Sequence, residues 1–270
     1  MHRLLQRLDR SLTWHLLSAP QALPPAMQAH ASGEYLVRME KLRAARAETF
    51  GVAEANMCVG DRLSDNMATH LVAVDHDDVP AGAIRLFTVD RKREELNARL
   101  LAGFARVRFP DAATEGAQLA ALDAWIDAIA VERTFVYPGG FFTAHRWRRS
   151  GLAGVLGMAA VAWARLHGSR MSASFASVEG AAAGLFQQFG ATPLLDARGQ
   201  ATPSFALPNY DVVVRLLAFD STRPGAWLES GVQAMVPRLA AMTALAPPGP
   251  GLPVAPTAAT PDRMTEVSPQ

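Results

Sequence analysis

From Gly154 to His167 the chain runs almost without a polar side chain, and the pattern predicts a helix over 155–166 that Gly168 ends. A helix that is apolar on every side must be covered on every side, so it has to lie between a sheet and a further layer. That requirement selects a layered α/β architecture. Directly before it stands Gly140-Phe-Phe-Thr-Ala-His-Arg-Trp-Arg-Arg-Ser-Gly-Leu-Ala153, which reads as a short buried strand breaking into a basic turn. The first amides of a helix have no partner within it, and the helix dipole adds partial positive charge there. Arg146, Arg148 and Arg149 reinforce that charge, while Gly151 and Ala153 leave room for an anion to approach the backbone. The stretch is therefore an anion-binding arrangement or, in the plainer reading, a basic surface turn.

The order of elements around it is informative. Arg170 to Ala176 reads as a buried parallel strand, and Ala181 to Phe189 as a short helix ending at Gly190. Upstream, 70–75 and 83–88 form a hairpin in which Arg85 stands inside an apolar strand, so it must snorkel or meet a buried carboxylate. Glu34 to Phe50 patterns as a helix stopped by Gly51, and residues 2–17 as an amphipathic basic helix with Leu4, Leu5, Leu8, Leu12 and Leu16 on one stripe. Such a helix either packs on the domain or touches an acidic partner or a membrane surface. Residues 91–107 and 115–122 read as helices of an insertion spanning about 90–122. Trp125 to Val136 reads as a strand bounded by Pro138-Gly139-Gly140, Leu207 to Phe219 as one long strand, and Trp227 to Leu245 as a helix. From Ala246 the composition is that of a disordered tail. These limits divide the chain into a helix and linker (1–30), one domain (31–245) and the tail (246–270).

Composition narrows the function. Half of the 270 residues are hydrophobic and the formal net charge is +1, so no global field marks a nucleic-acid binder. The lone cysteine, Cys58, allows neither an internal disulfide nor a cysteine-rich metal site, and the histidines lack metal-ligand spacing. No apolar run reaches the ~18–20 residues of a membrane span, and the N-terminus lacks a continuous apolar signal region, so a cytoplasmic protein is expected. Nucleophile elbows and P-loops are absent from the sequence.

Arg148-x-x-Gly151-x-Ala153, after a strand and opening a helix, resembles the acyl-CoA signature of the GNAT superfamily of N-acetyltransferases. The resemblance implies a mixed, twisted sheet flanked by helices, with Phe141, Phe142 and Thr143 lining a pantetheine arm. It implies a pyrophosphate cradle of Arg148, Arg149, Ser150, Gly151, Leu152, Ala153 and Gly154. Arg46, Phe50, Asp61, Asp65 and Arg85 match the long-chain branch, which includes acyl-homoserine-lactone synthases and N-acyl amino acid synthases; a tryptophan expected after the phenylalanine in the lactone synthases is missing. Phe186 stands where many acetyltransferases have a tyrosine that protonates the departing thiolate, and phenylalanine has no proton to give.

What the resemblance implies is an N-acyltransferase with no permanently bound cofactor. Its donor is an acyl thioester on acyl carrier protein or coenzyme A, and its acceptor a small primary amine. Glu132, Asp61 or Asp65 would take the amine's proton or hold the ammonium, and Arg85 would orient an acceptor carboxylate or a structural aspartate. A short-chain acetyltransferase and a binding protein without turnover stay open beside it.

Overall fold

The computed structural model describes residues 2–18, 28–29, 32–52, 65, 68–90, 111–113, 116–117, 120, 134–169, 171–178, 181–196, 198–202, 204–207 and 212–245. The expected strand of 125–133, the tail, nearly all of the 90–122 insertion, Asp61 and Glu132 lie outside them.

The apolar run is helix α3 (Leu152–Leu166), in which eleven residues are buried. It packs on strands β4 (Pro80–Asp90) and β5 (Thr134–Thr143) on one side and on a helix, α5 (Ala226–Ala241), on the other. That is the double covering its composition demands. Arg165 ties the two helices together through a two-bond fork to Glu229, both distances 2.8 Å. The other helices are α1 (His2–Asp9), α2 (Ser32–Phe50) and α4 (Ala181–Gln188).

A mixed sheet forms the middle layer, as expected for a GNAT-like acyltransferase fold. The remaining strands are β1 (Thr13–Ser18), β2 (Gln28–Ala29), β3 (Thr69–Val74), β6 (Met171–Ser177), β7 (Thr192–Pro193), β8 (Phe205–Leu207), β9 (Val212–Asp220) and β10 (Ala244–Leu245). Among the described residues the order is β2-β10-β1-β3-β4-β5-β6-β9-β7, with β8 beside β9. The β3–β4 hairpin and the parallel β5–α3–β6 unit stand as the sequence predicts.

Four expectations are corrected. The N-terminal helix ends at Asp9, and 13–18 form a strand between β3 and β10. Leu5 and Leu8 of its apolar stripe are buried in the core with Leu12, so the stripe packs inward on the domain. The motif strand does not start after Pro138-Gly139-Gly140 but runs through it, and of the run 207–219 residues 212–219 lie in β9 while Leu207 ends β8, which is antiparallel to it. The C-terminal helix stops at Ala241, and the chain then returns to the sheet as β10.

Candidate functional site

The site is built where β5 leaves its neighbour. β5 and β6 are parallel and share one register pair, Val136 with Ser172. Past it, among the described residues, β5 is paired with β4 up to Thr143, while β6 continues against β9. The strands thus part, and the other edge of β5 faces the cleft between them. Inside this stretch the β4 register slips between Ala83 and Arg85, which face Phe142 and Gly139. Such a bulge leaves backbone groups out of the ladder. Gly140 lies in it at φ +53°, with Arg46 close behind: a Cβ there would fall 3.2 Å from the guanidinium carbon.

The two phenylalanines of the motif strand separate. Phe142 is buried on the α2 side among Leu17, Tyr35, Met39 and Leu42, so its side chain cannot line an arm in the cleft. Phe141 faces the other way, 5.8 Å ring to ring from Phe186, which in turn meets Phe189 at 6.3 Å. Beside them Pro138, Gly157, Val161, Phe189, Leu217 and Phe219 wall an apolar recess. Thr143 stands opposite Gly82 in the ladder, its hydroxyl buried without a hydrogen-bond partner among the described residues.

After Thr143 a short 3-10 turn (His145–Trp147) leads to Arg149 at φ +63° and Gly151 at φ +89°, and α3 begins. The left-handed pair turns the chain sharply enough to present the helix start to the cleft side of β5. The amide of Leu152 donates to Ser150 Oγ and that of Val155 to the Gly151 carbonyl. Among the described residues the amides of Ala153 and Gly154 have no acceptor, and the Cα of Gly154 faces open space. These donors and the exposed Arg148 and Arg149 stand together at the turn that opens α3. Arg146 is withdrawn from them, because its guanidinium is bound to the buried carboxylate of Asp75, which also accepts the amides of Asp77 and Val79. Nothing in the sequence signalled that pairing. Nor did it signal that α1 reaches the turn, where Arg7 donates to the Ser150 carbonyl at 2.6 Å and Leu4 rests on Gly151.

On the α2 face lies a buried ionic cluster. Asp65 accepts from Arg46 at 2.8 and 3.1 Å, from Arg85 at 3.0 Å and from Arg43 at 3.4 Å. Burial alone would raise the Asp65 pKa; the charges around it, Arg46 foremost, outweigh burial and hold the carboxyl far below the usual range. His70 donates from Nε2 to the Asp65 carbonyl at 2.9 Å, and burial pushes its imidazole down to about 4 against the pull of Asp65. Of the four expected catalytic residues, then, the structure brings Asp65 and Arg85 together, but as each other's counter-ions. A sealed, permanently ionised carboxylate with its lone pairs occupied takes no proton at neutral pH. Sequence reasoning named Arg46, Asp65 and Arg85 and missed His70, whose partner is a backbone carbonyl. Among the described residues no group of three or more His, Cys, Asp or Glu is arranged to hold a metal ion.

No protein-family model matches the chain, and no curated protein matches it. Its backbone is similar to several solved structures at low identity. FeeM, an N-acyl amino acid synthase from uncultured soil microbes, is 12% identical with a TM-score of 0.48, over 83% of this chain and 96% of that one. BjaI, a CoA-dependent acyl-homoserine lactone synthase with SAM and isopentyl-CoA, is 14% identical with a TM-score of 0.48, over 89% and 95%. A putative arylalkylamine N-acetyltransferase 7 of the yellow fever mosquito is 13% identical with a TM-score of 0.49, over 78% and 95%.

Proposed function

We propose that the protein is an N-acyltransferase that moves an acyl group from a thioester to a primary amine. The observation that carries this reading is the edge of β5 where it parts from β6 past Val136, which leads to the amides of Ala153 and Gly154 that open α3. A pantetheine arm is an extended chain bearing amides. It can add to such an edge as a further strand would, with its phosphate end on the α3 amides and its thioester end at the bulge. The apolar recess beside Phe141 and Pro138 then faces the acyl group.

The chemistry follows. A neutral amine attacks the thioester carbonyl, the carbonyl oxygen takes the negative charge, and collapse of the tetrahedral adduct expels the thiolate. Backbone amides near the β4–β5 bulge would donate to that oxygen. The ammonium proton goes to a carboxylate. Asp65 is unsuited, which leaves Glu132 or Asp61 for the role. With Phe186 in α4 offering no hydroxyl, the thiolate regains its proton from water or from the base.

The product is an N-acyl amino acid or a related lipid or signal, and the donor rides on coenzyme A or a carrier protein. Mass spectrometry of lipid extracts from expressing cells tests this. A new N-acyl product that disappears with Arg148→Ala is the expected result. Acetyl transfer alone in vitro would replace it with a short-chain activity, and no transfer from acyl-CoA or acyl carrier protein would overturn catalysis.

A further inference from the structure

Helix α1 is anchored independently of the turn that it reaches. Leu5 and Leu8 are buried in the core, and Asp9 accepts from Arg238 of α5 at 2.7 and 3.0 Å and from the indole of Trp14 at 3.1 Å. From that footing Arg7 donates to the Ser150 carbonyl at 2.6 Å, and Leu4 rests on Gly151, where an added Cβ would lie 2.8 Å from it. The turn requires such a hold. Arg149 and Gly151, on either side of Ser150, are both left-handed, at φ +63° and +89°, and an arginine keeps that conformation only where its surroundings impose it.

The carbonyl that Arg7 holds belongs to the same peptide unit as the Gly151 amide. In a trans peptide the two point in opposite directions, so capture of the carbonyl turns the amide away from α1. Among the described residues that amide has no acceptor, like those of Ala153 and Gly154 after it, and the Ser150 carbonyl takes no bond from the helix, whose Val155 amide goes to Gly151 instead. A guanidinium on the carbonyl also polarises the peptide and makes its N–H a stronger donor.

We infer that Arg7 is a positioning residue for the donor: it locks the 150–151 peptide so that the Gly151 amide joins those of Ala153 and Gly154 in receiving the phosphate end of the thioester carrier. The inference rests on the acyl-transfer reading, which seats that phosphate on the α3 amides. Donor affinity is then set by α1 as well as by the turn itself.

Calorimetric titration of the full chain with coenzyme A, and with pantetheine, which lacks the phosphates, tests this in the wild type and in Arg7→Ala, Arg7→Lys, Arg3→Ala and Arg10→Ala. Arg3 and Arg10 are exposed about a turn to either side of Arg7 and carry the same charge, with no bond to the turn among the described residues. The expected result is a Kd for coenzyme A about fivefold larger in Arg7→Ala, partly restored in Arg7→Lys, with pantetheine binding unmoved and the other two variants within about twofold of the wild type. In turnover, the KM for acyl-CoA rises by the same factor while kcat and the KM for the amine stay. Unchanged coenzyme A binding in Arg7→Ala overturns the inference. So does an equal loss in Arg3→Ala or Arg10→Ala, which makes charge alone the cause, or an equal loss for pantetheine, which makes it a general disturbance of the fold. A wild type that binds coenzyme A no better than pantetheine refutes the phosphate seat itself, and the role of Arg7 falls with it.

Discussion

A Cβ on residue 157 would fall 1.9 Å from Cε2 of Phe189, so Gly157 and Phe189 meet backbone to ring with no atom to spare between them. The contact sets the spacing of α3 and the chain end of α4, and with it one wall of the apolar recess. Gly157→Ala is therefore expected to force the ring aside and to destabilise the fold by about 1–3 kcal/mol, read as a lowered denaturation midpoint. Adding Phe189→Leu should restore part of the loss, because the smaller side chain vacates the collision.

Replacing Asp65 leaves Arg46 and Arg85 buried without their carboxylate. Asp65→Asn is expected to cost about 3–5 kcal/mol in urea unfolding. Replacing Arg43, which is partly exposed and more distant at 3.4 Å, should cost clearly less. Equal losses at the two positions would contradict the geometry.

His70 gives the fold a pH dependence whose sign can be worked out. Its folded pKa, about 4, lies below the ordinary 6.5, so between these values the unfolded chain binds the extra proton. The stability it contributes is present above pH 6.5 and is lost as pH falls towards 4, at up to about 1.4 kcal/mol per pH unit. Asp65, with its lowered pKa, also loses its contribution in acid, but only once the pH drops through the ordinary carboxylate range and below. His70→Gln keeps a donor for the Asp65 carbonyl and should flatten the first part of the curve. A stability profile identical to the wild type would refute the assignment.

The three arginines of the turn should behave differently. Arg148→Ala and Arg149→Ala are expected to raise the KM for the thioester donor about fivefold each, less at high salt. Arg146→Ala should leave that KM nearly unaltered and lower stability instead, since it strips the partner from the buried Asp75. Steady-state kinetics beside thermal unfolding separates the two outcomes.

At Gly151 the backbone sits at φ +89° and an added Cβ would lie 2.8 Å from Leu4. Gly151→Ala is expected to weaken donor binding while sparing the KM for the amine. Leu4→Ala in the same chain should relieve the collision but not the backbone strain, so recovery should be partial.

How much of this was legible depended on whether a segment's pattern is local. The α3 run, the β3–β4 hairpin and the Phe186-x-x-Phe189-Gly190 ending announce themselves, because their burial repeats with the period of the element. Residues 13–18 misled because Leu12 and Leu16 prolong the helical spacing of Leu5 and Leu8; a slot between β3 and β10 overrode it and buried Leu16 and Leu17 on both faces. Pro138 looked like a strand boundary. A proline has no amide to give a ladder, yet β5 runs through Pro138, which stands opposite Leu86 of β4. In the site, Arg46, Asp65 and Arg85 were visible as residues, but their mutual engagement arises from three separate segments. No spacing encodes that.

The place of β1 has a consequence for how the chain is made. The first strand lies between β3 and β10, the last of the described strands, so its outer edge is closed by residues 244–245. During synthesis that edge stays open until more than two hundred further residues have left the ribosome. Nascent chains, or fragments cut after α5, carry an unprotected template for pairing with one another. Aggregation of the growing polypeptide, and its dependence on chaperones, should therefore be most acute just before the C-terminal strand emerges.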